Sequence, residues 1–282
     1  MLVTEKDYYS IFPDGSHATG DIWMGLPSGG ILTWPRITGL VVTPACDLAN
    51  CKTETITYVP IVPLDRFYRL PEFRTEVARS YSELLAQLGI LKSGNLDLLE
   101  DSDVIQRLGA LQPNKEKLAI KERCMLAYSF LTDSSAAIRD KSGRHILHTI
   151  LGKNWLTLKQ RIVRNGYRQD IYYLPPDYQN DAWSPVPQHS VVLLRYLITV
   201  PTYFLDIAHR SDESSWPQRR TELIQRGLHC SRDCEEHRPP LRALRLRDIF
   251  LSDLLTKLVS IYVRIGAPDL SPPVLHKIEN EI

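Results

Sequence analysis

"GDIWMGLPSGGILTWPRITGLVVTPACDLANCKTETITYVPIVPL", residues 20–64, decides how the chain folds. Three runs inside it, "GDIWMG" (20–25), "ITGLVVT" (37–43) and "TITYVPIV" (55–62), are rich in β-branched and aromatic residues. Such side chains suit a pleated surface, and the Gly, Pro, Asn and Asp between the runs break it, so the pattern predicts three short strands. The link "LPSGGILTWPR" (26–36) carries the punctuation of a loop. The second link, "TPACDLANCK" (43–52), places Cys46, Asp47, Cys51 and Lys52 within seven positions. Asp47 suits an Asx-turn, in which its carboxylate takes backbone amides two residues on. The functional alternative has Asp47 and Lys52 as a carboxylate–ammonium pair facing a groove at the end of the strands.

Beyond this stretch the period changes. "EVARSYSELLAQLGIL" (76–91), "KEKLAIKERCMLAYSFL" (115–131) and "HILHTILGKNWLTLKQRIV" (145–163) space their apolar residues as helices do, the last with a break expected at Gly152. The acidic run "NLDLLEDSD" (95–103) between them reads as a solvated face. Strand character returns in "QDIYYLP" (169–175) and in "SVVLLRYLITVPTYFLDI" (190–207), with a bend expected at Pro201. "RDIFLSDLLTKLVSIYVRIG" (247–266) predicts a closing helix whose stripe is Ile249, Phe250, Leu254, Leu258, Ile261, Tyr262 and Ile265, with Gly266 as its stop. A two- or three-stranded sheet is marginal alone, so the strands on either side of the helical block belong to one sheet. The fold class is therefore α+β: a small β-barrel whose first half is 1–68, a helical insertion over 69–166, and a second half plus a C-terminal amphipathic helix over 167–282.

Bulk properties exclude several functions. Of 282 residues, 43% are hydrophobic and 24% charged, enough apolar material for a substantial core. The net charge of +1 gives no global attraction to nucleic acid or anionic membrane, so any such attraction is local. No apolar run approaches the roughly 20 residues of a membrane span. The N-terminal stretch lacks the basic end and apolar core of a secretory signal, and the five cysteines then read as reduced thiols or metal ligands in a cytoplasmic protein.

In order of elements, "GDIW", "GLVVTP" and "TYVPIVPL", followed late in the chain by "IYYLPPD" and "SVVLLRYLITVPTYF" and a terminal helix, the chain resembles the MazF/PemK toxins. The resemblance implies an SH3-like (PemK-like) barrel and cleavage of single-stranded RNA, with residues 70–165 as an insertion that those toxins lack. It also implies a setting in a bacterial toxin–antitoxin, stress or phage-defence module, with a protein partner encoded nearby. The family uses an arginine just before the second strand and a Thr or Ser just after the third. Arg36 stands near the first position, one residue out of register, while Val62 and Pro63 occupy the second. RNA cleavage needs a group to take the 2′-hydroxyl proton and a cation to hold phosphate charge. The matched positions supply at most that cation, Arg36; Asp47 and Lys52, read from the 43–52 link itself, complete the candidate catalytic set. The alternative is a non-catalytic interaction or regulatory subunit of the same kind of module.

Two further groups carry chemistry. "HCSRDCEEH" gathers His229, Cys230, Cys234 and His237, ligand types for a structural zinc ion, and Cys46 and Cys51 could join Cys230 and Cys234 in a four-cysteine site. Residues 139–168 carry Arg139, Lys141, Arg144, Lys153, Lys159, Arg161, Arg164 and Arg168 against Asp140 alone, with Trp155 and Tyr167 interleaved as base-stacking partners would be. "RPPLRALRLR" adds Arg238, Arg242, Arg245 and Arg247. These groups predict a phosphate-contacting face, with a solvated helix surface as the alternative. His145 and His148 would share a helix face, whereas His17, His189, His209 and His276 have no partners visible in sequence.

Overall fold

The computed structural model describes residues 4–11, 17–30, 32–50, 52–90, 102–112, 115–133, 139, 145–179 and 183–263. The acidic run at 95–101, Ile265 and the expected stop at Gly266 lie outside these residues. In chain order come strands β1 (Tyr9–Ile11), β2 (Asp21–Pro27) and β3 (Arg36–Val41), the short helix α1 (Ala45–Ala49) and strand β4 (Thr55–Pro63). Helices α2 (Leu64–Phe67), α3 (Pro71–Gln87), α4 (Ser102–Ala110), α5 (Lys115–Thr132), α6 (Ile146–Leu151) and α7 (Lys153–Val163) follow. The chain then forms β5 (Ile171–Leu174), β6 (Ser190–Leu193), β7 (Ile198–Pro201), α8 (Thr202–His209), α9 (Trp216–Gln225), β8 (Leu241–Leu246) and α10 (Asp248–Val263).

The eight strands among the described residues form one antiparallel sheet, seven of them in the order β1-β8-β2-β3-β4-β6-β5 and β7 beside β4. The long strand β4 takes β7 beside Thr55–Tyr58 and β6 beside Ile61–Pro63, so two successive short strands share one of its edges. The mixed α+β class is as expected from the sequence, but the expected closed barrel is not what the pairing shows. Among the described residues the sheet is open, with β1 and β5 as its ends. Pro175 and Pro176 directly follow β5 and have no N–H to donate, so a ladder cannot continue through them. The two ends of the sheet are joined instead by one side-chain hydrogen bond, the Tyr9 hydroxyl donating to the Pro175 carbonyl at 2.6 Å.

Both faces of the sheet are covered. On one, Trp23, Leu26, Val41, Tyr58 and Val62 pack with α3, α5, α6, α7, α8 and α9 in a single core. On the other, Ile22, Leu40, Val59, Val192 and Leu244 pack beneath Phe250, Leu251, Leu254 and Leu258 of α10. The helical insertion therefore shares its core with the sheet. A register shift between Trp23 and Leu26, at Gly25 with φ +73°, turns Leu26 to the same face as Trp23. That is the work of a β-bulge, which adds a residue and breaks simple alternation.

Several sequence expectations change here. Gly152, with φ +56°, does separate two helices. Pro201 ends β7, but the following "TYFLDI" is helix α8 and not bent strand. The buried stripe of α10 runs through Phe250, Leu251, Leu254 and Leu258, whereas Ile249 is 68% exposed and Tyr262 46% exposed. "LRALRL", read as part of a basic face, is strand β8.

Gly39 sits where β2, β3 and β4 meet, and a Cβ there would lie 2.8 Å from both Leu26 Cδ1 and Tyr58 Cδ2. Gly39→Val should destabilise the fold by about 1–3 kcal/mol through overpacking. Thermal or denaturant unfolding measures this, and an unchanged midpoint would contradict the packing described.

Candidate nucleic-acid interface

Helix α7 begins straight after Gly152 and buries Trp155, Leu158 and Ile162. Its other side exposes Lys153, Lys159 and Arg161, with Arg164 just past its end. Among the described residues, Lys153, Lys159 and Arg164 have no carboxylate within ion-pair distance. Arg161 is tethered, donating to the Tyr167 carbonyl at 3.3 Å with its guanidinium 5.7 Å from the Tyr167 ring.

The aromatic partners expected for bases are structural instead. Trp155 is 5% exposed, stacks on His145 with ring centres 5.1 Å apart and meets Tyr68 edge-on at 5.4 Å. Tyr167 is also buried. Helical spacing with Leu158 and Ile162 turns Trp155 inward, where burial of a large ring outweighs any use as a platform. Arg168 is likewise committed, with a bidentate pair to Asp170 (2.8 and 2.7 Å) and a third bond to the Glu72 carbonyl (2.8 Å). Arg144 lies outside the described residues.

The charge around His145 has no counterpart in the sequence pattern. Desolvation is the main cause holding its imidazole down at about 4; Arg139, Lys159 and Arg69 add to that, and Asp65 alone opposes them. Asp65 lies 3.7 Å from His145 Nε2 and 3.8 Å from Arg139 Nη2. The cations come from α2's C-terminal side, the segment at 139 and α7, so only the fold brings them together. His145 itself caps α6, its Nδ1 accepting from the Leu147 amide at 3.2 Å. A ring nitrogen that accepts carries no proton, so this cap requires the neutral imidazole. His148 is exposed and does not join it.

The other sequence candidates are not gathered into one site. Arg36 pairs with Glu235 at 3.4 Å at the start of β3, whereas Asp47 and Lys52 lie beyond its other end, about 17 Å away at the rise of a strand. Asp47 belongs to α1 and accepts weakly from the Cys46 thiol at 3.6 Å, and no Asx-turn forms. It lines a groove of about 500 Å³ with Val42, Leu197, Leu258 and Tyr262. Among the described residues no ion pair joins Asp47 to Lys52.

The zinc expectations fare similarly. Among the described residues no group of three or more His, Cys, Asp and Glu side chains could hold a metal ion. Cys51 lies outside those residues, and Cys46 is exposed on α1, at the far end of β3 from the Cys230–Cys234 segment near Arg36. His229 and His237 are exposed. Cys234 is buried, and desolvation pushes its thiol up to about 12. Protein donors close this loop instead: Arg220 binds the carbonyls of Ser231 and Arg232, each at 2.9 Å, and Trp216 Nε1 binds that of Glu235 at 2.8 Å. The second basic group is also largely engaged: Arg242 Nη1 and Arg245 Nε bind Asp21, Arg247 binds the Tyr9 carbonyl, and Arg238 faces Glu213 and Glu235.

Three of the histidines left without partners in sequence acquire them across the fold, and His276 lies outside the described residues. His17 Nε2 lies 2.9 Å from Asp206, the Tyr173 hydroxyl lies 2.6 Å from His189 Nδ1, and His209 stands among His17 and Trp23. These pairs are 189 and 16 positions apart in sequence, so no local motif reveals them. No protein-family model, curated protein or solved structure matches the chain.

Unfolded, His145 protonates near 6.5, while in the fold it resists down to about 4. Its contribution is therefore full above pH 6.5 and lost as pH falls toward 4. His145→Asn can keep the cap without titrating. Melting curves should show a shallower loss of stability between pH 6.5 and 4 for that variant than for the wild type, and equal slopes would refute the assignment.

Proposed function

We propose that the protein binds nucleic acid, RNA in preference to DNA, through the exposed side of α7, on a sheet related to the SH3-like barrel of the MazF/PemK toxins. The observation that carries this is the set of exposed cations Lys153, Lys159 and Arg164, together with Arg139 and Arg69 converging on His145. Phosphate contacts of this kind give sequence-independent affinity that falls with salt. The loss of Trp155 and Tyr167 as stacking partners favours backbone contact over base reading. The candidate cleavage residues Arg36, Asp47 and Lys52 are dispersed, with Arg36 engaged by Glu235, so the protein binds RNA with a degenerate ribonuclease site. Its setting is a bacterial stress or phage-defence module.

A second reading, an interaction subunit of such a module, is favoured by one separate feature. Val259, Tyr262 and Val263 of α10 and Leu197 expose apolar surface around the groove that Asp47 lines. Contiguous apolar surface of this kind suits a protein partner.

Fluorescence anisotropy with labelled single-stranded RNA separates the two. Wild-type affinity should fall as salt rises. In the Lys153→Ala, Lys159→Ala, Arg164→Ala triple variant the log–log slope should drop by about 2, at about 0.7 per lost contact on a single strand. An unchanged slope, or no salt-sensitive binding by the wild type, discards the nucleic-acid reading.

A further inference from the structure

A second polar cluster lies at the other end of the sheet. Gly20 donates to the Val41 carbonyl and Asp21 begins β2, so this cluster sits beside the end of β3 and the start of β4, while Asp65 follows the end of β4. Asp21 is fully buried and accepts from Arg245 Nε at 2.6 Å, Arg242 Nη1 at 3.1 Å and the Ala18 amide at 2.8 Å. Next to it His17 is held by Asp206, and the rings of His17, Trp23 and His209 lie within 5.5–6.4 Å of one another.

Three nitrogens in this cluster are buried with no hydrogen-bond partner among the described residues: His17 Nδ1, Trp23 Nε1 and Arg245 Nη2. Trp23 is fully buried and the His17 side chain is 10% exposed. Native proteins seldom leave such donors unmet, because each forfeits the hydrogen bonds it had in water. Trp23 Nε1 and Arg245 Nη2 can only donate, so what suits them is an acceptor. Desolvation is the main cause holding the His209 imidazole below its ordinary value; Arg242, His17 and Arg210 add to it, and Asp206 alone opposes them. His209 and Arg210 are exposed, and Asp206 is 45% exposed, so the cluster has an open rim.

We infer that this cluster is a binding site for a phosphate group, with His209 and Arg210 receiving the anion at the rim and Arg245, Trp23 and His17 behind them. A tetrahedral phosphate offers oxygens in several directions, which suits donors arriving from β2, β8, α8 and the segment before β2 better than a planar carboxylate does. The inference does not depend on the α7 reading, because no residue is shared.

Imidazole resonances followed by NMR in inorganic phosphate, against sodium chloride of equal ionic strength, test it. Saturable shifts of His17 and His209 are expected, together with a raised melting temperature. His209→Ala, on the exposed rim, should keep its unliganded melting temperature and bind phosphate about tenfold or more weakly, as loss of one charge-assisted hydrogen bond implies. The Lys153, Lys159, Arg164 triple variant should bind phosphate as the wild type does, so failure of RNA binding and failure of this site are distinguishable. A nucleoside 5′-monophosphate and a 5′-phosphorylated oligoribonucleotide, each against its 5′-hydroxyl counterpart, tell a free-phosphate site from one that takes a nucleic-acid end. Shifts no larger than in chloride, or unchanged affinity in His209→Ala, overturn the inference.

Discussion

Burial of the sheet on both faces is the constraint from which the rest follows. A strand covered on one side can alternate apolar and polar residues, but β4 runs between two cores and is buried from Tyr58 through Val62 without a polar residue except the Tyr58 hydroxyl. That hydroxyl must find a partner in a dry place, and it donates to the Pro27 carbonyl at 2.7 Å. The demand explains the glycine at 39, diagonally across the ladder from Tyr58: the Tyr58 ring occupies the space a side chain there would need. It also explains why α10 sits where it does, since without it Val59, Ile61 and Leu40 would face water.

The polar groups obey the same constraint. A carboxylate as deeply buried as Asp21 needs fixed donors, and guanidinium groups supply them because they stay charged at any accessible pH. Two arginines from β8 and an amide from the segment before β2 therefore converge on it. Immediately before β5, Asp170 is served in the same way by Arg168 and Arg195. Much of the chain's basic character is thus internal wiring, and the exposed cations of α7 stand out because they are not used in this manner.

This sets the limit of what the sequence discloses. β2, β3 and β4 are legible because β-branched residues and turn residues alternate sharply there, and α3, α5 and α7 because their apolar residues recur at helical spacing. β8 is hidden because Arg242 and Arg245 look solvent-seeking until Asp21, 221 and 224 positions away, is placed between them. Trp155 misleads for the converse reason: basic neighbours surround it in sequence, but helical geometry sends them outward and the ring inward. The cap formed by His145 and the pairing of His17 with Asp206 depend on tertiary placement, and no spacing rule anticipates them.

The way the sheet ends has a consequence for how copies of the protein meet. An open sheet normally presents unpaired amides and carbonyls that invite another chain to add a strand. Here β5 runs into two successive prolines, β1 has three residues, and Tyr9 occupies the Pro175 carbonyl beside that end. Little continuous ladder is left on offer at either margin. The chain can thus keep a sheet that does not close on itself and still discourage edge-to-edge growth when crowded with its own kind.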